Sequence, residues 1–208
     1  MKVLILSANI GNFDSPKQHV EQDIECDFKC VTENLSSLLP NRNWGKLVKM
    51  GWTKDSDGYD IVIWIDGNVT IINPSFARMM VDKLADNDIA ISRHPFRKTT
   101  VQEYDYIISQ IEEGNEYLKS RYDPEKLKAE RLIVGDDLAL YWCGCFAYRN
   151  TFKFADFGNN WFLHEQQHAM FDQCSFSYFA ARFDMKIAAF DFNGFYKNDY
   201  LTVTKHLK

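Results

Sequence analysis

The chain has 208 residues and a formal net charge of −5, from 24 Lys and Arg against 29 Asp and Glu. Hydrophobic residues make up 46% and aromatic residues 15%, a globular composition that excludes disordered, collagenous and coiled-coil chains. The acidic balance argues against a protein that coats nucleic acid through a basic field, while leaving room for an enzyme with a local basic cleft. Apolar runs such as Ile61 to Ile65 fall far short of the ~20 residues a membrane span needs, so no membrane contact is expected. Cys26, Cys30, Cys143, Cys145 and Cys174 form no CxxC pair and read as reduced thiols of a cytoplasmic protein. With no repeat, low-complexity tract or Pro/Gly-rich linker, residues 1–208 read as a single domain.

Residues 2–8 predict a buried first strand, followed by a tight loop over Asn9 to Asp14 in which Gly11 and Asn12 tolerate positive φ. A second strand is expected over 27–32. Residues 60–65 give the clearest strand, apolar on both faces as inside a covered sheet, and Asp66-Gly67-Asn68 ends it. Pro74 opens a helix to Ala85, and residues 88–92 return to strand. A long helix is predicted over 99–119, with Val101, Tyr104, Ile107, Ile108 and Ile111 on one side. A short helix begins at Asp123-Pro124, a strand covers 138–148, helices cover 160–168 and 172–183, and a late strand covers 186–190. This alternation predicts an α/β fold, in which ligands sit beyond the carboxyl ends of the strands.

Three segments carry chemistry. Asp66-Gly67-Asn68 places a carboxylate and an amide oxygen two residues apart at a strand end, a pair able to hold a hard divalent ion, although the same tripeptide also makes ordinary turns. Arg93-His94-Pro95-Phe96-Arg97 brings two guanidiniums beside an imidazole, suited to an anion or to a solvated loop. Trp161, Glu165, His168 and Asp172 would share one stripe if a single helix ran through them, offering a general base and a ring to stack on a sugar. The same stretch reads His164-Glu165-Gln166-Gln167-His168, the HExxH zinc-hydrolase pattern. Its third ligand would have to come from afar, for example His206.

Taken in order, several segments resemble a glycosyltransferase-like family of unknown function with plant, bacterial and phage members. Ser7 to Asp14 is similar to its first strand and nucleotide loop, and Phe28-Lys29-Cys30-Val31-Thr32-Glu33 to its second strand. Tyr59 to Asn68 is similar to its "iWiDgs" strand. His94-Pro95-Phe96-Arg97 with Glu103, then Trp161 with Glu165, then Asp172-Gln173-Cys174-Ser175-Phe176 are similar to its later motifs. The resemblance implies a single-domain GT-A fold, Rossmann-like, that transfers a sugar from a nucleotide diphosphate sugar, expected to be a UDP-sugar. It implies Asp172 and Glu165 as catalytic carboxylates. It implies Ala8, Asn9, Gly11, Asn12, Asp66, Arg93, His94, Arg97 and Trp161 around the donor, and Mn²⁺ or Mg²⁺ on Asp66 and Asn68. Asn68 stands where many GT-A enzymes carry a metal-binding Asp, although an Asn oxygen can still ligate. The acceptor would be a hydroxyl, in a hydroxymethylated base of phage DNA or in a glycan. A zinc hydrolase built on His164 and His168, or a GT-A domain that binds nucleotide or sugar without transferring it, are the alternatives.

Overall fold

The computed structural model describes residues 1–50, 54–134 and 137–206. In chain order the first half contains β1 (Val3–Ala8), β2 (Asp27–Val31), α1 (Asn41–Lys49), β3 (Ile61–Ile65), β4 (Val69–Ile71), α2 (Phe76–Leu84) and β5 (Ile89–Arg93). The second half contains α3 (Thr100–Glu112), α4 (Glu116–Arg121), α5 (Pro124–Val134), β6 (Tyr141–Arg149), α6 (Phe152–Gln167), α7 (Asp172–Arg182), β7 (Ile187–Phe190) and β8 (Leu201–Val203).

Six strands form one mixed sheet in the order β2-β1-β3-β6-β5-β7. β1 pairs in parallel with both β2 and β3, β6 runs antiparallel between β3 and β5, and β7 is parallel to β5. The result is an α/β architecture with a mixed sheet, compatible with a Rossmann-like fold. The chain leaves β1 toward β2 on one side and returns to β3 on the other. The loops after β1 and β3 therefore part company at a switch point, where open α/β sheets leave a crevice. Two cores follow from the two faces. Leu4, Leu6, Val62, Trp64, Phe146 and Tyr148 pack under α1, α6 and α7, whereas Ile5, Ile63, Ile65 and Ala147 pack under α2 and the β4-β8 ribbon. β3 is buried at every position, as its unbroken apolar run requires. β2 sits at the sheet edge and is largely exposed, which is why its sequence is mixed.

The structure corrects three expectations. The helix predicted over 99–119 is two helices, because Gly114 takes φ 97° and the Asn115 side chain caps a new start by accepting from the Leu118 N–H. The predicted stripe Trp161-Glu165-His168-Asp172 is also broken. α6 ends at Gln167, Met170 takes φ 56°, and Asp172 opens α7, so the four residues do not share a face. Finally, α1 was not expected: Asn41, Asn43 and Gly45 are poor helix formers, and the helix forms because Leu47, Val48 and the following Met50 are buried in the first core.

α1 is seated by a glycine far along the chain. A Cβ on Gly158 of α6 would fall on the Met50 carbonyl at the end of α1. Gly158→Ala is expected to destabilise the protein by about 2–3 kcal/mol, because a backbone atom cannot move aside as a flexible side chain can. Urea unfolding would check this, and an unchanged midpoint would show that the two helices are free to separate.

Candidate functional site

A cavity of about 490 Å³ opens at the carboxyl ends of β1 and β3. Its near wall is the loop after β1. The Asn9 side chain clamps this loop, donating to the Asp14 carbonyl (2.9 Å) and accepting from the Asp14 N–H (2.8 Å). Gly11 and Asn12 then take φ 68° and 56°, the left-handed turn that their residue types allow. Ala8, Asn9, Asp14, Asp66 and Asp172 line the cavity, whereas Gly11 and Asn12 shape the loop behind it.

The floor is an ionic cluster. Lys46 and Lys49, three residues apart on α1, both reach Asp172: Lys46 Nζ lies 2.6 Å from Oδ1 and Lys49 Nζ 2.7 Å from Oδ2. Lys49 also contacts Asp66 Oδ1 at 3.2 Å, and the same oxygen accepts from Trp64 Nε1 at 2.8 Å. Burial works against the charge of Asp172, but the two ammoniums hold its carboxyl well below the usual range. Burial likewise opposes the charge on Lys49, yet Asp172 and Asp66 together hold its ammonium above its ordinary value. Lys46 is pulled down by burial, against the opposing pull of Asp172 and with the Lys49 ammonium adding to the drop. A carboxylate so stabilised is a weak Brønsted base, and Asp172 acts here as the anchor of two lysines.

Glu165 and Trp161 do not face the cavity. Both are fully buried. Trp161 donates its indole N–H to Ser175 Oγ (2.9 Å) and Ser175 donates to Glu165. The sugar-stacking role expected of Trp161 needs an exposed ring face and is corrected here: the ring packs against Phe146, Phe157 and Phe176. Burial, with Asp172 and Glu130 nearby, pushes the Glu165 carboxyl up to about 8 despite the opposing pull of Lys46. Of the HExxH residues, the His164 and His168 rings lie 4.2 Å apart, but the other contacts do not build a zinc site. His164 Nε2 lies 3.0 Å from the buried Glu130, His168 lies past the end of α6, and Glu165 points to Ser175 instead of toward a site between the histidines.

The mouth brings together residues that the sequence did not single out. Arg121 lies over the rings of Phe13 (5.4 Å) and Tyr117 (5.2 Å), and Arg42 lies over Tyr122 (5.0 Å). Arg42 donates to the carbonyls of Arg121 (2.7 Å) and Met170 (3.3 Å), which ties α1 to α4 and to the α6–α7 turn. On the opposite side His206 Nδ1 sits 3.0 Å from Asp14 Oδ1, with its ring against Phe13. In the sequence, His206 stood out only as a distant zinc ligand, and the floor lysines leave one trace, the K-x-x-K spacing on α1. It is far too common to mark a site, and the rest of the mouth is assembled by tertiary contact.

Arg93 and His94 line a second cavity of about 320 Å³ at the same edge of the sheet, walled by Phe96, Trp142, Phe192 and Phe195. Arg93 pairs with Asp191 at 3.1 Å. His94 Nδ1 accepts from the Arg97 N–H (3.0 Å), and burial, with the Arg97 guanidinium close by, pushes the imidazole down to about 4. Arg97 is turned away, paired with Glu103 and stacked over Tyr106 at 4.0 Å. Between the cavities, the Asp66 N–H donates to the Gly144 carbonyl (2.8 Å), and a Cβ on Gly144 would meet the Trp142 indole.

At the Asp66 and Asn68 pair a buried ammonium stands beside the carboxylate where a divalent ion would sit. Asp66 Oδ1 already carries Lys49 and Trp64, and the Asn68 amide donates to the Thr204 carbonyl (2.8 Å), tying β3's exit to the segment after β8. Among the described residues no group of three or more His, Cys, Asp or Glu is arranged to hold a metal.

No protein-family model matches the chain, and no curated protein matches it. A solved structure described as "Crystal Structure of A197 from STIV" is similar over 92% of this chain and 82% of that one, at 6% identity and a TM-score of 0.38. That likeness is too distant to fix a fold family or a function. No helix among the described residues is long and apolar enough to cross a membrane.

Glu165 gives this site a pH signature. Its carboxyl is near 8 when folded, against an ordinary 4.5, so between those values the folded chain binds more protons than the unfolded one. Its stabilising contribution is therefore complete below the ordinary value and is lost as pH rises toward 8. Glu165→Gln is expected to gain melting temperature over the wild type progressively from about pH 5 to about pH 8. Parallel melting curves across that range would show that Glu165 titrates normally.

Proposed function

We propose that the chain is a glycosyltransferase of GT-A type that moves a sugar from a nucleotide diphosphate sugar, expected to be a UDP-sugar, to a hydroxyl acceptor. The observation that carries this reading is the first cavity's lining. It joins the rings of Phe13, Tyr117 and Tyr122, the carboxylates of Asp14 and Asp66, and four basic side chains (Arg42, Lys46, Lys49 and Arg121) at a strand switch point. These are the three chemistries a nucleoside diphosphate requires: faces for the base, acceptors for the ribose diol and cations for the phosphates. The volume suits a ligand of that size.

His206, oriented by Asp14, is the candidate general base. With its Nδ1 proton given to the carboxylate, Nε2 keeps a lone pair for the acceptor hydroxyl. In an inverting transfer that proton passes to His206, the acceptor oxygen bonds to the anomeric carbon, and the bond to the diphosphate breaks. The aromatic walls of the second cavity, Trp142 and Phe195, suit an acceptor ring. A hydroxymethylated base in DNA and a glycan are the two acceptor classes to screen.

The test pairs binding with turnover. Nucleoside diphosphate affinity is measured by calorimetry, and release of UDP from UDP-sugars is followed with each acceptor. Asp66→Ala is expected to weaken binding about tenfold or more. His206→Ala is expected to keep binding and lower turnover about a hundredfold. Failure of the wild type to bind any nucleoside diphosphate would overturn the reading. A second reading, a nucleotide-binding domain without transferase activity, is favoured by one observation: Glu165 is sealed in the core and Asp172 is neutralised by two lysines. Binding without turnover would support it.

A further inference from the structure

We infer that Lys46 and Lys49 form a diphosphate-binding site that does the work of a divalent cation, so that nucleotide binding needs no metal. The inference rests on the nucleotide reading of the first cavity and specifies how its phosphates are held.

Position comes first. Both lysines stand on one face of α1, both line the cavity, and both are fixed from behind by a single carboxylate, Asp172. Two ammoniums on one carboxylate leave positive charge without a counterpart. Lys49 recovers part of it from Asp66, whereas the Lys46 ammonium has no carboxylate other than Asp172 within ion-pair distance among the described residues. The mouth adds to the excess. Arg42 donates only to backbone carbonyls, its buried Nε–H has no partner, and Arg121 donates to the Tyr117 hydroxyl. Neither guanidinium meets a carboxylate among the described residues. Four basic side chains thus face three carboxylates in one cavity of a chain whose net charge is −5. An anion with two adjacent phosphates supplies the missing charge.

Competition comes second. The place where a GT-A enzyme would seat its cation is the Asp66 carboxylate, and Lys49 stands 3.2 Å from its Oδ1. A divalent ion on that carboxylate would displace the buried ammonium from Oδ1 or, on Oδ2, sit beside it at like-charge repulsion. Asp172 offers no alternative, since each of its oxygens already faces a lysine, and the Asn68 side chain is held by its amide N–H on the Thr204 carbonyl. Lys49 therefore stands where the ion's charge would be needed, with Lys46 beside it, on a helix held by the Gly158 contact and ready to receive the phosphates without rearrangement.

The experiment titrates the wild-type protein by calorimetry with UDP, GDP, uridine and guanosine, in EDTA and again with Mn²⁺ or Mg²⁺. It is repeated with Lys46→Ala and Lys46→Arg. Lys46 is chosen because Asp172 keeps its contact with Lys49 when Lys46 is removed, which protects the fold. Diphosphate affinity in EDTA is expected to lie within about threefold of that with metal. Lys46→Ala is expected to lose about tenfold or more for the diphosphate while losing little for the nucleoside, and Lys46→Arg to recover most of the loss. Binding that appears only with Mn²⁺ or Mg²⁺ would overturn the inference and leave the nucleotide reading standing. Equal losses for nucleoside and diphosphate in Lys46→Ala would also overturn it. No binding of either diphosphate in any condition would remove the nucleotide reading and the inference together.

Discussion

The carboxylate of Asp172, buried at the first turn of α7, is shared by two ammoniums from α1, and the rest of the site is arranged around that sharing. A buried carboxylate is costly alone and tolerable when paired. The same holds for each lysine, so removal of Asp172 would strand two buried ammoniums, whereas removal of Lys46 would leave Asp172 and Lys49 paired. The helix N-terminus adds its partial positive charge to the balance. Through Lys49 the cluster reaches Asp66 at the end of β3, and thus joins a helix, a strand exit and a second helix that are far apart in the chain. α1 has little helical propensity of its own, and this ionic anchor works with the burial of Leu47 and Val48 to give it a fixed place.

The sheet was legible because its strands are nearly continuous apolar runs. β1, β3, β5 and β6 stand close to where alternation and composition place them, and the loop after β1 takes positive φ at the Gly and Asn that allow it. What escaped was tertiary in origin. α1 is made helical by what it packs against. β4 and β8 are three residues each and exist only because Thr70 meets Thr202 across most of the chain. The lysines on the cavity floor carry no motif, and His206 drew notice only as a distant zinc ligand.

Several residues picked out by spacing turn out to brace the fold. Arg97 pairs with Glu103, Glu103 accepts from Gln173 at 3.1 Å, and the loop after β5 is thereby bound to α7. Trp161, Ser175 and Glu165 form a second internal chain between α6 and α7. Both sets lie in segments whose spacing, read as sequence alone, pointed to catalysis. Spacing along the chain does not distinguish buried partners from catalytic ones. Only burial and direction separate the two cases: Asp66 keeps an oxygen at a cavity, whereas Glu165 is enclosed on every side.

Gly144 touches one wall residue of each cavity, Asp66 of the first and Trp142 of the second. Its carbonyl fixes the backbone of Asp66 on one side, and its bare α-carbon gives the Trp142 indole room on the other. The residue that joins these two walls has no side chain of its own to adjust. Any larger residue at 144 would tilt the indole and pull on the strand that presents Asp66. The two halves of this surface cannot be remodelled independently: a change made to suit a molecule in one compartment is felt as a change of shape in the other.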